Sequence, residues 1–150
     1  MMRPAKRFGI LALALVLLAF PSRVLAYHSF PDFFLHDTYF ALSPDRLFFV
    51  MAAFSGVFAA AYAAFPMNVR AASWHFWITV SGIAGFWFAF YGWTHLAAQR
   101  SVNNPVSPAL ETAAAAAFVL SFLLLLFSPA IFAVNFTFAM GRMRPPRTGQ

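Results

Sequence analysis

The chain has no cysteine, which excludes disulfides, thiolate metal sites, c-type haem attachment and cysteine nucleophiles. Charge is also scarce: charged residues make up 9% of the 150 positions, whereas soluble domains carry about 25%. The acidic residues number four, namely Asp32, Asp37, Asp45 and Glu111. Hydrophobic residues account for 62% of the chain and form long uncharged runs. This composition predicts a membrane protein.

The formal net charge of +6 does not indicate a nucleic-acid partner. Four of the ten basic residues fall within the first 26 positions, and the six arginines that follow are spread over loops together with the four acids. Such a distribution forms no basic patch for phosphates, so we expect no nucleic-acid partner.

The first 26 residues have the three parts of a secretory signal peptide. Arg3, Lys6 and Arg7 precede an apolar run at 8–20, and Val24 and Ala26 offer small residues at the −3 and −1 positions of a cleavage site. Thirteen apolar residues in a helix reach about 20 Å, short of the roughly 30 Å hydrocarbon core. We expect cleavage after Ala26, and the alternative is an uncleaved signal anchor over the same residues.

The remainder divides into a polar segment at 27–46, a membrane domain at 47–140 and a basic tail at 141–150. Within the membrane domain, apolar segments at 47–65, 74–96 and 112–132 are each near the 20 residues that a membrane-spanning helix needs. Ser43-Pro44 is typical of a helix start, and the third segment allows continuation to Met140 past Ser128-Pro129. The predicted fold class is an all-α membrane protein with three transmembrane helices after the signal peptide.

Arginine placement predicts the orientation of these helices. Arg70 lies between the first two spans and the tail adds Arg142, Arg144 and Arg147, whereas the four acids lie on the other side with Arg46 and Arg100. We therefore expect the N-terminus outside and the C-terminus in the cytoplasm of a bacterial-type inner membrane.

Small residues recur every four positions on the predicted helices and predict close helix packing. They lie at Ala52, Gly56, Ala60 and Ala64 on the first span, at Ser81 and Gly85 on the second, and at Ala113, Ala117 and Ser121 on the third. Three helices cannot cover all of these faces as fully as a larger assembly, so we expect partner helices in addition to membrane lipid. No Asp, Glu, Lys or Arg lies inside the three spans, which argues against autonomous transport or proton pumping.

Histidine is the remaining candidate for metal or haem ligation. His75 and His95 lie 20 residues apart on the second span, which is about 30 Å along a helix and too far to share an ion. His28, Asp32, His36 and Asp37 are close together in the outer polar segment and suit a hard-to-intermediate cation. Spacing alone favours a hydrated loop in which these groups cap the backbone.

The run at 32–40, D-F-F-L-H-D-T-Y-F, resembles the outer-loop motif of haem–copper oxidase subunit I. Reading on without gaps, further matches to that family's tenth and eleventh helices occur at Met51, Ala53, Phe65-Pro66, His75-Phe76-Trp77, Gly82 and Arg100. The third span corresponds to the twelfth helix by position. The resemblance implies that Asp32 and Arg100 contact haem propionates and that His36 and Asp37 bind Mg²⁺ or Mn²⁺, although the chain would hold no cofactor of its own.

The haem ligands of that family are missing. Its H-F-H sequence corresponds here to Pro44, Asp45 and Arg46, and neither proline nor arginine can replace an axial histidine. The chain is therefore not expected to reduce oxygen by itself, and we expect a non-catalytic accessory subunit of a respiratory oxidase, bound to its other transmembrane subunits. Two alternatives remain: one fragment of a split cytochrome oxidase subunit I, or an outer-face metal-binding or oxidase-assembly protein.

Overall fold

The computed structural model describes residues 2–25, 33–35, 38–40, 44–100 and 107–142, with side chains described at 2–23, 45–92 and 107–142. Four helices and two strands follow one another along the chain: α1 (Pro4–Leu25), β1 (Phe33–Leu35), β2 (Thr38–Phe40), α2 (Pro44–Ala64), α3 (Val69–Arg100) and α4 (Pro108–Arg142). The chain divides into two compact units, Met1–Ala64 and Phe65–Gln150, and each unit contains one packed pair of helices.

In the first unit, α1 and α2 form an antiparallel helical pair. The ring of Phe8, near the start of α1, contacts Phe58 and Tyr62 near the end of α2, with ring centroids 5.6 Å apart in both cases. At the opposite end, Phe20 contacts Phe49 edge to face at 6.3 Å. Phe8 is 0% exposed and forms the centre of this small core together with buried Leu15, Ala19, Phe48, Ala52 and Phe58. Phe8, Leu15 and Ala19 on α1, and Phe48 and Ala52 on α2, are spaced by four or seven residues, which places them on one face of each helix.

The two strands form a short antiparallel ladder that was not predicted from the sequence. Phe33 pairs with Phe40, Phe34 with Tyr39 and Leu35 with Thr38. Its six residues are aromatic or branched, which are the types that suit extended backbone. Apart from this ladder, the described elements are all α-helices, in agreement with the predicted helical fold class.

In the second unit, α3 and α4 form another antiparallel pair. Contacts join Asn68 to Asn135 at one end and the rings of Phe86 and Phe118, 5.2 Å apart, towards the other. The α4 residues in this interface include Ser121, Leu125, Ser128, Phe132 and Asn135. Their alternating steps of four and three are typical of side chains interlocking between helices that cross at a shallow angle.

Three of the described helices are long and apolar enough to cross a membrane: α1 over Pro4–Arg23, α2 over Asp45–Ala64 and α4 over Pro108–Arg142. The predicted number of membrane-spanning helices, three, agrees with this count, but the helices themselves are not the three that were predicted. The apolar run at 8–20 was expected to be too short to span a membrane. That expectation is wrong for α1 as a whole, because the helix extends beyond the apolar run at both ends and reaches 22 residues. The segment predicted at 74–96 lies inside the 32-residue α3, which falls outside this set because its polar and amphipathic aromatic residues lower its mean hydropathy.

Prolines mark the helix boundaries. Pro44 is the first residue of α2 and Pro108 the first of α4, where the missing amide hydrogen removes no helical hydrogen bond. The predicted start of a helix at Ser43-Pro44 is therefore confirmed. Helix α4 continues through Pro129 to Arg142, so the extension to Met140 that the sequence allowed is confirmed as well.

Candidate functional site

The outer-face residues predicted from the resemblance belong to the segment between α1 and α2 and to the end of α3. Asp32, His36 and Asp37 lie outside the described residues, as does His28, although β1 and β2 lie on either side of His36 and Asp37 in the sequence. Arg100 is the last residue of α3, and its side chain is also outside the described part. Among the described residues, no group of three or more His, Asp or Glu side chains could hold a metal ion.

The segment at 44–46, which the sequence resemblance aligns with haem ligands, has a clear structural role. Pro44 and Asp45 lie in the first turn of α2. Proline has the backbone angle that this position needs, and a carboxylate near a helix N-terminus interacts favourably with the helix dipole. These residue types therefore suit the start of a helix.

One end of the α3–α4 interface is closed by a pair of asparagines. The side-chain Oδ1 of Asn135 accepts a hydrogen bond from the backbone N–H of Asn68 at 3.1 Å, and its Nδ2 donates to the Asn68 carbonyl at 3.3 Å. Asn68 in turn caps α3, because its Oδ1 accepts from the N–H groups of Arg70 and Ala71 at 2.9 and 3.4 Å. Asn135 is buried, so this amide connects the start of α3 to the last third of α4.

A second polar contact lies about two to three turns further along α3. The Thr79 hydroxyl donates to the carbonyl of His75 at 2.8 Å and lies 2.5 Å from the Ser128 hydroxyl. Because the single hydroxyl hydrogen of Thr79 is used on the carbonyl, Ser128 donates to Thr79. The His75 ring is 0% exposed and lies against Phe132 with ring centroids 5.7 Å apart. His75 is therefore a packed interface residue within the described structure.

Two glycines of α3 allow α4 to approach closely. A Cβ atom at Gly85 would lie 2.4 Å from the Ser121 Oγ, and one at Gly82 would lie 3.0 Å from the Leu125 side chain. The Ser121 hydroxyl donates to the Ala117 carbonyl of its own helix at 2.7 Å. This confirms the predicted packing role of Gly85 and Ser121. Ser81, which was predicted to form a ridge together with Gly85, is exposed.

The small-residue ridge of α2 is only partly used within its own unit. Ala52 is buried, but Ala60 and Ala64 are exposed, and a Cβ at Gly56 would meet nothing within 4 Å. The face of α2 turned towards α1 instead contains Phe48, Ser55 and Phe58. The C-terminal half of the ridge is thus open in the described structure.

An apolar groove of about 680 Å³ lies in the second unit, where the start of α3 meets the C-terminal half of α4. Its walls include Phe127, Ile131, Val134 and Phe138, and Arg142 lies at its end. No local sequence pattern predicts this groove, because it forms only when two segments some 60 residues apart in the chain pack together. The concentration of apolar residues on α4 was visible in the sequence but gave no sign of a cavity.

Comparison with protein-family models, with curated proteins and with solved structures finds no match for this chain.

Proposed function

We propose that the chain is a non-catalytic accessory subunit of a respiratory haem–copper-oxidase-type membrane complex, related to subunit I but without its haem and copper ligands. The observation that carries this proposal is the resemblance of residues 32–40 to the outer-loop motif of subunit I, followed by Pro44 and Arg46 where that family has haem ligands. Pro44 is the first residue of α2, so this segment serves as the start of a helix.

The packing of the described helices supports a role in assembly rather than in chemistry. The hydroxyls of Ser55 and Ser121 and that of Thr79 donate to backbone carbonyls of their own helices, and Asn135 holds the start of α3. The bonds within one helix satisfy polar groups inside lipid, and the Asn135 contact favours association of the two helices. The open ridge at Gly56, Ala60 and Ala64 is the surface on which we place a helix of another subunit.

The test is purification of the tagged full chain in mild detergent, with identification of co-purifying subunits and absorption spectra of the oxidised and reduced sample. Haem bands together with a complete subunit I are the expected result. Haem bands with a partner that supplies only the first nine helices would replace the proposal with a split enzyme. Absence of every oxidase subunit would refute both.

A matched pair of variants tests the surface. Ala60→Leu adds bulk to the open ridge, whereas Ala61→Leu adds the same bulk about 100° further round the helix. We expect the first variant to lower the yield of partner subunits severalfold and the second to leave it near that of the unmodified chain. Equal yields from the two variants would rule out the ridge as the contact surface.

A further inference from the structure

The groove between the start of α3 and the C-terminal half of α4 has strongly apolar walls. Phe127 and Phe138 are 62% and 66% exposed, and Val134 is 58% exposed, so the groove opens outwards from the pair of helices. It contains no described acidic side chain. Because the groove is apolar and lies on a helix that is apolar enough to cross a membrane, it suits a hydrocarbon chain.

The charge at the end of the groove is positive. Arg142, in the last turn of α4, belongs to the groove lining, and Arg70 is exposed two residues after Asn68. The acid of this unit is Glu111, in the first turn of α4, and 31 residues of helix separate it from Arg142 by about 46 Å. An apolar groove that ends at an arginine, far along α4 from the described acid of the same unit, is complementary to a molecule with a long apolar tail and an anionic head.

Three backbone amides at this end already have acceptors within the protein. The amides of Arg70 and Ala71 donate to the Asn68 side chain, and the Asn68 amide donates to Asn135. Recognition of an anionic head therefore falls to the arginine side chains and not to the N-terminus of α3.

The geometry points to a binding site for one anionic glycerophospholipid, with an acyl chain lying along the α4 residues Phe127, Ile131, Val134 and Phe138, and the phosphate beside Arg142. Basic pockets next to membrane helices bind anionic lipid head groups in this way. The site stands apart from the proposed function, since it uses only the described residues of the Phe65–Gln150 unit.

Native mass spectrometry of the full chain, expressed without oxidase subunits and purified in mild detergent, tests the inference. The sample is titrated with palmitoyl-oleoyl phosphatidylglycerol or the matching phosphatidylcholine. We expect one tightly retained phosphatidylglycerol and at least about fivefold weaker retention of phosphatidylcholine, the factor that one basic residue contributes near an anionic lipid. Arg142→Gln removes that preference, whereas Arg46→Gln, in the other unit, leaves it intact. Equal retention of the two lipids, or an equal effect of both arginine variants, overturns the site.

Filling the groove gives an independent measurement. Ala130 lines the groove, and Ala115 is an equally exposed alanine of α4 outside it. Ala130→Trp is expected to abolish lipid retention while Ala115→Trp preserves it, with far-ultraviolet circular dichroism showing unchanged helix content in both. If lipid retention survives Ala130→Trp, the groove does not hold the lipid. If the oligomeric state changes in that variant alone, the groove holds protein instead of lipid. Because isolated chain is used, failure here leaves the proposed oxidase association untouched.

Discussion

Polar side chains in the described helices mainly form hydrogen bonds to backbone groups and to one another. Ser22, Ser55 and Thr137 each donate to a carbonyl three or four positions earlier, which satisfies a hydroxyl at little cost where water is scarce. Asn135 and the Thr79–Ser128 pair instead act between helices. These contacts are specific to position, so single substitutions distinguish them.

Gly85 gives the sharpest test at this scale. Gly85→Ala places a methyl group against the Ser121 Oγ, so this hydroxyl must rotate away and lose its hydrogen bond to the Ala117 carbonyl. We expect the α3–α4 pair to be destabilised by about 1 kcal/mol, which is typical for one lost hydrogen bond. The measurement is unfolding of the detergent-solubilised chain by sodium dodecyl sulfate, followed by circular dichroism. Gly92→Ala is the control on the same helix, because nothing lies within 4 Å of a Cβ there.

A second substitution separates steric overlap from a general intolerance of alanine at this position. Ser121→Ala removes the Oγ atom, and the remaining Cβ lies 3.4 Å from the added methyl group. Gly85→Ala combined with Ser121→Ala should therefore recover most of the lost stability. A double variant as unstable as Gly85→Ala alone would contradict the close approach.

At the scale of elements, the agreement between sequence and structure depends on local signals. Pro44 fixed the start of α2 because proline is favoured there. The length of α1 was underestimated because an apolar run ends at the first charged or proline residue, whereas the helix continues through Pro21. The β1–β2 ladder was missed because three-residue strands with no Asn-Gly or Asp-Gly between them carry little signal. Of the predicted site residues, only the backbone of Arg100 falls within the described chain.

The pairing of α1 with α2 predicts that the N-terminal helix contributes to stability wherever it is retained. Phe8→Ala removes a fully buried ring that contacts Phe58 and Tyr62. We expect a loss of up to about 3 kcal/mol, at the low end of the range for phenylalanine in soluble cores, because lipid compensates for lost apolar burial. Detergent unfolding measures it, and Leu17→Ala, at an exposed position of the same helix, should have little effect.

The same variant reports on processing of the chain. If the segment before residue 27 is removed after export, Phe8→Ala leaves the mature protein unchanged, and intact mass shows a chain that begins at Tyr27. An unprocessed mass with no effect of Phe8→Ala on unfolding would contradict the α1–α2 contact itself.

At the scale of the whole molecule, the arginine distribution predicts which ends of the helices face the cytoplasm. The absence of cysteine makes the chain suited to single-cysteine labelling in intact cells. Ser107→Cys, just before α4, should react with a membrane-impermeant maleimide from outside, whereas Gly141→Cys, near the end of α4, should react only after permeabilisation. Reversed labelling would overturn the predicted orientation, and labelling of both sites from outside would show that α4 does not cross the membrane.

The hydrogen bonds between Asn135 and Asn68 also set an order for biosynthesis. The two residues are 67 positions apart, so at a synthesis rate of about 5–20 residues per second the start of α3 emerges roughly 3–13 s before its partner amide. During that interval the peptide groups of Asn68 need water or the insertion machinery in place of Asn135. The beginning of α3 therefore gains its contact with Asn135 only after most of α4 has been made.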